Sequence, residues 1–343
     1  MKTQHIVIKT EKDIEGISRA AEILKNGGLV AIPTETVYGL AADTYNVEAV
    51  KGIFKAKGRP QDNPLIVHIS DIGMLHDLCC DLPEAAQKLA ERYWPGPLTM
   101  VLPKSNKVPA EISAGLSTVA VRFPKNPVAR AIISAAGRPL AAPSANLSGS
   151  PSPTTAQHCI NDLEGRVEGI VISGGSEVGL ESTVISLCEN PPRLLRPGAV
   201  TVEMLESVLG KIAIDKAVTA KPEEGKPVAS PGMKYKHYSP KTKVVLIEAD
   251  SQDYIDYVNA HKAEGVFALC FSEDIKGLSV PFVEYGNKNL DETQAAGLFS
   301  ALRQLDEKGA KIAYAHSPKL SGVGLAVYNR LIRAAGFQVV KIK

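Results

Sequence analysis

The sequence predicts an α/β protein of two domains, the first built on a mixed sheet and the second on a smaller, Rossmann-like sheet. The chain has 343 residues, more than the ~150 that are typical of one domain. Along most of its length, short apolar runs alternate with amphipathic segments. A stretch rich in Pro, Gly and charge interrupts this alternation at 211–240, as a linker would. We therefore expect a first domain at 1–210 and a second domain at 241–343.

The first domain is predicted to contain more strands than helices. Short apolar runs predict strands at 6–9, 29–33, 65–69, 98–102, 119–123, 140–143, 169–173, 183–187 and 193–195. Helices are predicted at 13–26, at 47–56 after the N-cap residue Asn46, after Ser70, after Asp81 and after Asn126-Pro127. Several strands follow one another without a helix, so the sheet is expected to be mixed, not purely parallel.

The second domain alternates strands and helices. Strands are predicted at 244–247, 266–271, 312–316 and 339–342, and helices at 251–263, 290–308 and 324–335. This alternation is typical of a Rossmann-like α/β fold. The closely spaced glycines Gly322 and Gly324 resemble a dinucleotide-binding turn, but the third glycine is missing, so they predict only the start of a helix.

Composition excludes several classes of protein. Hydrophobic residues make up 44% of the chain and charged residues 22%, as in ordinary globular proteins. The net charge of +2 argues against a protein that coats nucleic acid through its overall charge. Five cysteines without a C-x-x-C pair indicate reduced thiols and neither a disulfide framework nor a zinc site. No apolar run is long enough to span a membrane, and no signal-peptide core is present; we expect a cytoplasmic protein.

A cluster of cations follows the helix predicted at 47–56. In one interpretation, Lys55 and Lys57 only offset the negative end of the helix dipole. In the other, Arg59, held between Gly58 and Pro60 beyond the helix, grips phosphate oxygens with its planar guanidinium. The P-loop pattern G-x-x-x-x-G-K-[ST] is absent, so a P-loop ATPase is not expected.

Polar loops follow several of the predicted strands. They lie at 34–39, 143–149, 181–183 and 196–198, and each is compatible with an ordinary turn or with a ligand site. Arg122 lies within an apolar strand, so a carboxylate or an anionic ligand must lie beside it. His68 also falls in a strand, where a lone histidine is more often a satisfied core residue. The pattern is consistent with a triphosphate pocket but does not name a reaction.

Taken in order, these segments resemble a known family. They are PTETVYG at 33–39, KGRP at 57–60, NPL at 63–65, WPGPLT at 94–99, VR at 121–122, PSANLSG at 143–149, ESTV at 181–184 and RPG at 196–198. Over about residues 10–210 the chain resembles the threonylcarbamoyl-AMP synthases, the YrdC-like proteins. The segment SPGMKYKHYSP at 230–240 and the domain after it resemble the long, two-domain form of that family.

The resemblance implies a fold and an activity. The fold would be a YrdC-like twisted mixed sheet with helices around a deep, positively lined cavity. The enzyme, a nucleotidyltransferase, would convert L-threonine, bicarbonate or CO2, and ATP into L-threonylcarbamoyl-AMP and pyrophosphate, with Mg2+ brought by the ATP phosphates. A tRNA threonylcarbamoyl transferase complex would then receive the product for N6-threonylcarbamoyladenosine formation in tRNA.

The resemblance also implies which residues bind the substrates. The residues expected around L-threonine are Thr36, His68, Arg122, Ala142 and Ser182. Those expected around ATP are Lys57, Arg59, Asn63, Thr118, Ser144, Asn146, Ser152, Arg196 and Tyr235, with Lys57 and Arg59 in the catalytic role and Tyr235 closing over the nucleotide from the linker. No metal ligand from the protein is implied. The sequence departs from the family at Ser173, where an Asp is expected before Gly174-Gly175.

Two other functions are compatible with parts of this pattern. One is a double-stranded RNA-binding module of the same fold, whose concave face would contact RNA directly. The near-neutral charge and the Ser, Asn and Thr side chains of the loops favour a small ligand instead. The other is a carbamoyl transferase acting from carbamoyl phosphate, as in hydrogenase maturation proteins. The zinc-finger modules that accompany that domain need C-x-x-C pairs, which this chain lacks.

Overall fold

The computed structural model describes residues 2–220 and 238–342, which form two sheets flanked by helices. The first sheet contains, in chain order, β1 (Gln4–Val7), β2 (Val30–Ile32), β3 (Gly39–Asp43), β4 (Ile66–His68), β5 (Leu98–Pro103), β6 (Thr118–Arg122), β7 (Leu140–Ala141), β8 (Gly169–Ile172), β9 (Thr183–Ser186), β10 (Arg193–Arg196) and β11 (Ala213–Ile214). Their order across the sheet is β1-β8-β2-β3-β7-β4-β6-β5-β9-β10-β11.

The first sheet is mixed, as predicted. The pairs β1–β8, β2–β8, β4–β6, β5–β9 and β10–β11 are parallel. The pairs β2–β3, β3–β7, β4–β7, β5–β6 and β9–β10 are antiparallel. Because the central strands are covered on both faces, their residues are almost all buried, and two apolar clusters lie on opposite sides of the sheet. The twisted sheet thus fixes the strand ends at which the polar loops begin.

Four of the eight helices described in the first domain begin at a residue whose side chain caps the helix. They are α1 (Ile14–Lys25), α2 (Val47–Lys57), α3 (Leu75–Leu78), α4 (Glu84–Tyr93), α5 (Ala110–Ser113), α6 (Pro127–Ala136), α7 (Ala156–Leu163) and α8 (Val202–Leu209). The predicted cap at Asn46 is confirmed, since its side chain accepts a hydrogen bond from the N–H of Ala49. The helix start at Asn126-Pro127 is also confirmed, and there the Asn126 side chain accepts from the N–H of Ala129.

Two predicted helix starts are wrong. The helix expected after Ser70 begins as a 3-10 turn over Ile72–Met74, and the side chain of Asp71 caps it by accepting from the N–H of Gly73. The helix expected after Asp81 begins only at Glu84 because Pro83 occupies the N-cap position. Strand β3 and helices α5, α7 and α8 were not predicted from the sequence. The strand expected at 6–9 lies two residues earlier, because the N–H groups of Lys9 and Thr10 turn to bond the carboxylate of Asp13.

The second sheet is wholly parallel and belongs to the C-terminal part of the chain. Its strands are β12 (Lys243–Glu248), β13 (Val266–Cys270), β14 (Phe282–Glu284), β15 (Ile312–His316) and β16 (Val339–Lys341), in the order β14-β13-β15-β12-β16. Its helices are α9 (Ser251–Ala260), α10 (Asp291–Glu307) and α11 (Gly324–Ala334). The Rossmann-like architecture is as predicted, α11 begins at Gly324 as expected, and β14 was missed.

The two parts of the chain pack closely. Val37 and Leu180 of the first part belong to the same apolar cluster as Leu298 and Leu331 of α10 and α11. The segment 211–220, assigned to the linker from sequence, contributes β11 to the first sheet, where Ala213 pairs with Arg193. No helix in the described ranges has the length and apolar character needed to cross a membrane. The five cysteines carry free thiols, of which Cys79, Cys159 and Cys270 are buried.

Candidate active site

A cavity opens where the polar loops of the first sheet converge. Ten of the residues predicted to bind substrate line it: Thr36, Arg59, His68, Arg122, Ala142, Ser144, Asn146, Ser152, Ser182 and Arg196. They come from the segments after β2, α2 and β7, from the ends of β4, β6 and β10, and from the segment before β9. Residues far apart in the chain meet here because neighbouring strands bring their ends to one place.

Arg122 ends β6 and is held by the loop after β2. Its Nη2 forms an ion pair with Oε1 of Glu35 at 2.7 Å, Nη1 donates to the Thr36 hydroxyl at 2.7 Å, and Nε donates to the carbonyl of Gly96 at 3.3 Å. Arg122 therefore satisfies the sequence-based requirement for a carboxylate neighbour. Burial would raise the pKa of Glu35, but Arg122 holds it below its usual value, so the pair is ionised.

His68 faces the same cavity as a neutral imidazole. Its side chain is buried at 3% exposure, and no described residue hydrogen-bonds its Nδ1. Burial, and then the positive charge of Arg122, lower the pKa of His68 to about 3. A buried nitrogen without a protein partner is suited to a ligand or a water molecule. His68 is thus prepared for hydrogen bonding, not for proton transfer at neutral pH.

Ser182 and Arg196 form a second wall of the cavity. Nε of Arg196 donates to the carbonyl of Ser182 at 3.0 Å, and its Nη2 donates to the Ser182 hydroxyl at 3.2 Å. The Ser182 hydroxyl also lies 2.7 Å from that of Thr99 on β5. Gly198 permits this approach, because a Cβ there would lie 2.4 Å from the backbone nitrogen of Thr183. The RPG motif therefore brings a guanidinium beside Ser182.

Lys57 lies beneath the cavity and does not line it. Its ammonium donates to the carbonyls of Ser144 and Asn146, the second at 2.6 Å. Burial, and then the charge of Arg59, lower the pKa of Lys57 well below its ordinary value. Lys57 thus fixes the PSANLSG loop from below, and its expected place close to the phosphates stays a prediction.

Three other predicted residues lie outside the cavity lining or outside the described chain. The carbonyl of Asn63 accepts from Nη2 of Arg59 at 3.4 Å, and the buried side-chain amide of Asn63 has no hydrogen-bond partner among the described residues. Thr118 begins β6 and shares with Ala120 and Arg122 the face on which Arg122 meets the cavity. Tyr235 lies outside the described residues.

Four functional residues were not assigned from sequence. Glu35 is the partner of Arg122, while Ser150, Glu181 and Tyr238 line the cavity. Glu181 stood in a recognised motif, and Tyr238 lies in the segment at 230–240 that carried the family resemblance. For Ser173, the structure shows only that its carbonyl and that of the following glycine accept hydrogen bonds from the Tyr38 hydroxyl.

The cavity combines three guanidinium groups with short hydroxyl and amide side chains. Arg59, Arg122 and Arg196 line it, and the lining carboxylate, Glu181, is ion-paired with Arg330 at 2.8 Å. Such a site suits a ligand with several anionic groups and polar edges. Fold and site together define an α/β protein with an arginine-lined cavity at the strand ends.

Comparisons with known proteins identify the family. A family model for Sua5, YciO and YrdC proteins, described as "Telomere recombination", matches residues 22–198. A second model, described as "Threonylcarbamoyl-AMP synthase, C-terminal domain", matches residues 200–336. The threonylcarbamoyl-AMP synthase of Bacillus subtilis is 46% identical over 95% of this chain and 94% of its own length. That of Pyrococcus abyssi is 45% identical over 98% of this chain and 99% of its own length.

A solved structure agrees with these matches. The crystal structure of P. abyssi Sua5 complexed with L-threonine has a TM-score of 0.92 with 42% identity, and the match covers 99% of this chain and 100% of that one. The chain belongs to the threonylcarbamoyl-AMP synthase family and has its two-domain form.

Proposed function

We propose that this protein is an L-threonylcarbamoyladenylate synthase, which converts L-threonine, bicarbonate or CO2, and ATP into L-threonylcarbamoyl-AMP and pyrophosphate. The observation that carries the proposal is the convergence of Arg59, Arg122 and Arg196 on one cavity lined by Ser and Asn side chains. The relatives bear the corresponding name, and the similar P. abyssi structure contains L-threonine.

L-Threonine binds at the Arg122 side of the cavity in this proposal. A guanidinium has five N–H donors, and the hydrogen bonds of Arg122 to Thr36 and Gly96 together with its ion pair with Glu35 do not use all of them, so donors remain for a carboxylate. Ser182, Ala142 and the neutral His68 lie around the same space. The resident Glu35 carboxylate keeps the guanidinium oriented before the substrate arrives, so little reorganisation is needed on binding.

ATP binds along the other wall. Arg59 and Arg196 suit phosphate oxygens, and Ser144, Asn146 and Ser152 offer polar groups to the nucleotide. Asn63, with its unpartnered amide, lies behind this wall and accepts a hydrogen bond from Arg59 through its carbonyl. The apolar face of Ile66 and Ala120, which leads towards Thr118, offers a surface for the base, since Ile66 lines the cavity and pairs with Ala120.

The chemistry requires positioning more than protein nucleophiles. The threonine nitrogen forms a C–N bond with CO2 and loses a proton to give the carbamate. A carbamate oxygen then attacks the α-phosphorus of ATP, and the bond to the pyrophosphate oxygen breaks. Negative charge accumulates on the phosphates, where fixed arginines stabilise it. Lys57 contributes by holding the loop that carries Ser144 and Asn146.

The protein itself provides a poor donor set for Mg2+. The described residues contain no group of three or more His, Cys, Asp or Glu side chains that could hold a metal ion. The carboxylate of Glu181 is already bonded to Ser152 and Arg330. We therefore infer that Mg2+ enters as part of the ATP substrate, coordinated by its phosphates. The product would pass to a tRNA threonylcarbamoyl transferase complex, because a mixed carbamic–phosphoric anhydride is an activated acyl donor.

The proposed activity is tested by mixing purified protein with L-threonine, bicarbonate, ATP and Mg2+ and following pyrophosphate and the adenylate by mass spectrometry. The expected product requires all three substrates and is lost when serine or alanine replaces threonine. Pyrophosphate release independent of threonine would indicate another acceptor on the same scaffold. Absence of turnover, together with salt-sensitive binding of double-stranded RNA, would contradict the proposed function.

A further inference from the structure

The C-terminal domain places a buried arginine behind Glu181, a residue of the cavity wall. Arg330 lies on α11 and is fully buried, at 0% exposure. Its Nε donates to Oε2 of Glu181 at 2.8 Å, its Nη2 to the Glu181 carbonyl at 3.1 Å, and its Nη1 to the carbonyl of Pro197 at 2.8 Å. One guanidinium thus joins the ESTV and RPG motifs, which carry Ser182 and Arg196 into the cavity.

Glu181 transmits this contact to the cavity. Its other carboxylate oxygen accepts from the Ser152 hydroxyl at 2.5 Å. Burial would raise the pKa of Glu181, but Arg330 and then Arg196 hold it below its usual value. An ionised carboxylate only accepts hydrogen bonds, so the Ser152 hydroxyl must be the donor in its hydrogen bond with Glu181. The lone pairs of Ser152 are then left to accept from a ligand.

Arg330 also contacts the cavity through a second route. Its guanidinium carbon lies 5.9 Å from the centre of the Tyr238 ring, a distance at which a cation is attracted to an aromatic face. Tyr238 lines the cavity and packs its ring 5.2 Å from that of Phe299 on α10. Both contacts bring elements of the C-terminal domain to the side of the cavity that holds Ser152.

We propose that Arg330 is a positioning residue through which the C-terminal domain orients Glu181, and with it the Ser152 hydroxyl, for nucleotide binding. The inference rests on the proposed function, since it concerns the ATP side of the same cavity. In this role the C-terminal domain supports from behind a cavity whose lining, among the described residues, comes from elsewhere in the chain. The ligand group that meets Ser152 is then an N–H or O–H donor.

The test measures steady-state constants of Arg330→Gln in the full-length protein, together with calorimetric affinity for a non-hydrolysable ATP analogue. We expect the KM for ATP and the Kd of the analogue to rise by about tenfold, the size that follows from losing one oriented hydrogen bond. The KM for L-threonine should change by less than about twofold, because Arg122 and its partners are untouched and Ser182 keeps its bonds to Thr99 and Arg196. Equal rises in both KM values would indicate general loosening and overturn the proposal.

Arg303→Gln is the matched control. Arg303, on α10, also bridges the two parts of the chain, through an ion pair with Asp162 at 2.8 Å and a hydrogen bond to the Pro151 carbonyl. Neither of these partners lines the cavity. This variant should lose interdomain stability as Arg330→Gln does, while its KM for ATP rises by less than about threefold, because the bond between Ser152 and Glu181 is untouched. A similar rise in both arginine variants would contradict a specific role for Arg330.

Arg330→Lys decides the question if Arg330→Gln does not fold. Lysine keeps the positive charge beside Glu181, but its single ammonium group cannot bond Glu181 and Pro197 at the same time as the planar guanidinium does. A KM for ATP several-fold above wild type supports the proposal, and a wild-type KM overturns it. Failure of the wild-type protein to bind the ATP analogue would instead refute the proposed function, which separates the two outcomes.

Discussion

Arg122 and Glu35 form an ion pair at 2.7 Å, with 5% and 4% of their side chains exposed, at the point where β6 meets the cavity. The pair explains how a charged residue is tolerated inside the apolar strand. Burying either ion alone would be costly. Hydrogen bonds to the Thr36 hydroxyl and the Gly96 carbonyl also fix the orientation of the guanidinium plane. The same fixed guanidinium is the proposed receptor for the threonine carboxylate.

We predict that Arg122→Gln raises the KM for L-threonine by about 100-fold or more, the effect of removing one partner of a buried charge pair. The KM for ATP should change by less than about threefold. Steady-state kinetics with each substrate varied in turn provide the measurement. Arg193→Gln, which removes an exposed pair with Glu189, should leave both constants unchanged. An unaltered KM for L-threonine in Arg122→Gln would contradict the assignment.

Arg59→Ala is expected to abolish adenylate formation while the fold is retained, because its guanidinium is proposed to hold phosphate oxygens. Lys55→Ala provides the control, since Lys55 lies in the last turn of α2 but is exposed. Circular dichroism and thermal unfolding should show both variants folded, and only Arg59→Ala should lose pyrophosphate release. Wild-type turnover in Arg59→Ala would remove Arg59 from the phosphate site.

Gly198→Ala should destabilise the protein by about 1–3 kcal/mol, the cost of forcing extra volume into a packed site. The added Cβ would lie 2.4 Å from the Thr183 nitrogen and 2.7 Å from its hydroxyl, so the RPG turn must move and take Arg196 with it. Gly174→Ala is the control, because a Cβ there meets nothing within 4 Å. Equal melting temperatures for the two variants would contradict this account.

The sequence predicted those parts of the fold that local patterns encode. Strand β6 was found because Val119-Ala120-Val121 is a short apolar run, and α6 because Asn126-Pro127 is a strong helix start. Strand β3 was missed because it is buried throughout and starts with glycine, so it shows neither alternation nor β-branched enrichment. Helix α4 was predicted to begin after Asp81, but Pro83 occupies the N-cap position and the helix begins at Glu84.

The sequence predicted site residues within single segments, but it did not predict their partners in distant segments. The need of Arg122 for a carboxylate follows from its apolar strand, but nothing local identifies Glu35, which is 87 residues away by number (122 − 35). The contact between Glu181 and Arg330 spans 149 positions and joins two domains. Such partners are set by the packing of whole elements, which a pattern of residues within one segment does not specify.

His68 should make the fold less stable in acid. Burial and Arg122 lower its pKa to about 3, against about 6.5 in an unfolded chain. Above pH 6.5 the imidazole is neutral in both states and adds no pH dependence. As the pH falls from 6.5 to about 3, only the unfolded state binds the proton, so the free energy of unfolding drops, by up to roughly 5 kcal/mol.

His68→Gln should therefore lose stability less steeply than wild type in urea titrations between pH 6.5 and 4. His76→Gln, a change at an exposed position, should keep the wild-type slope, and an unchanged slope in His68→Gln would show that His68 is not held neutral in the fold.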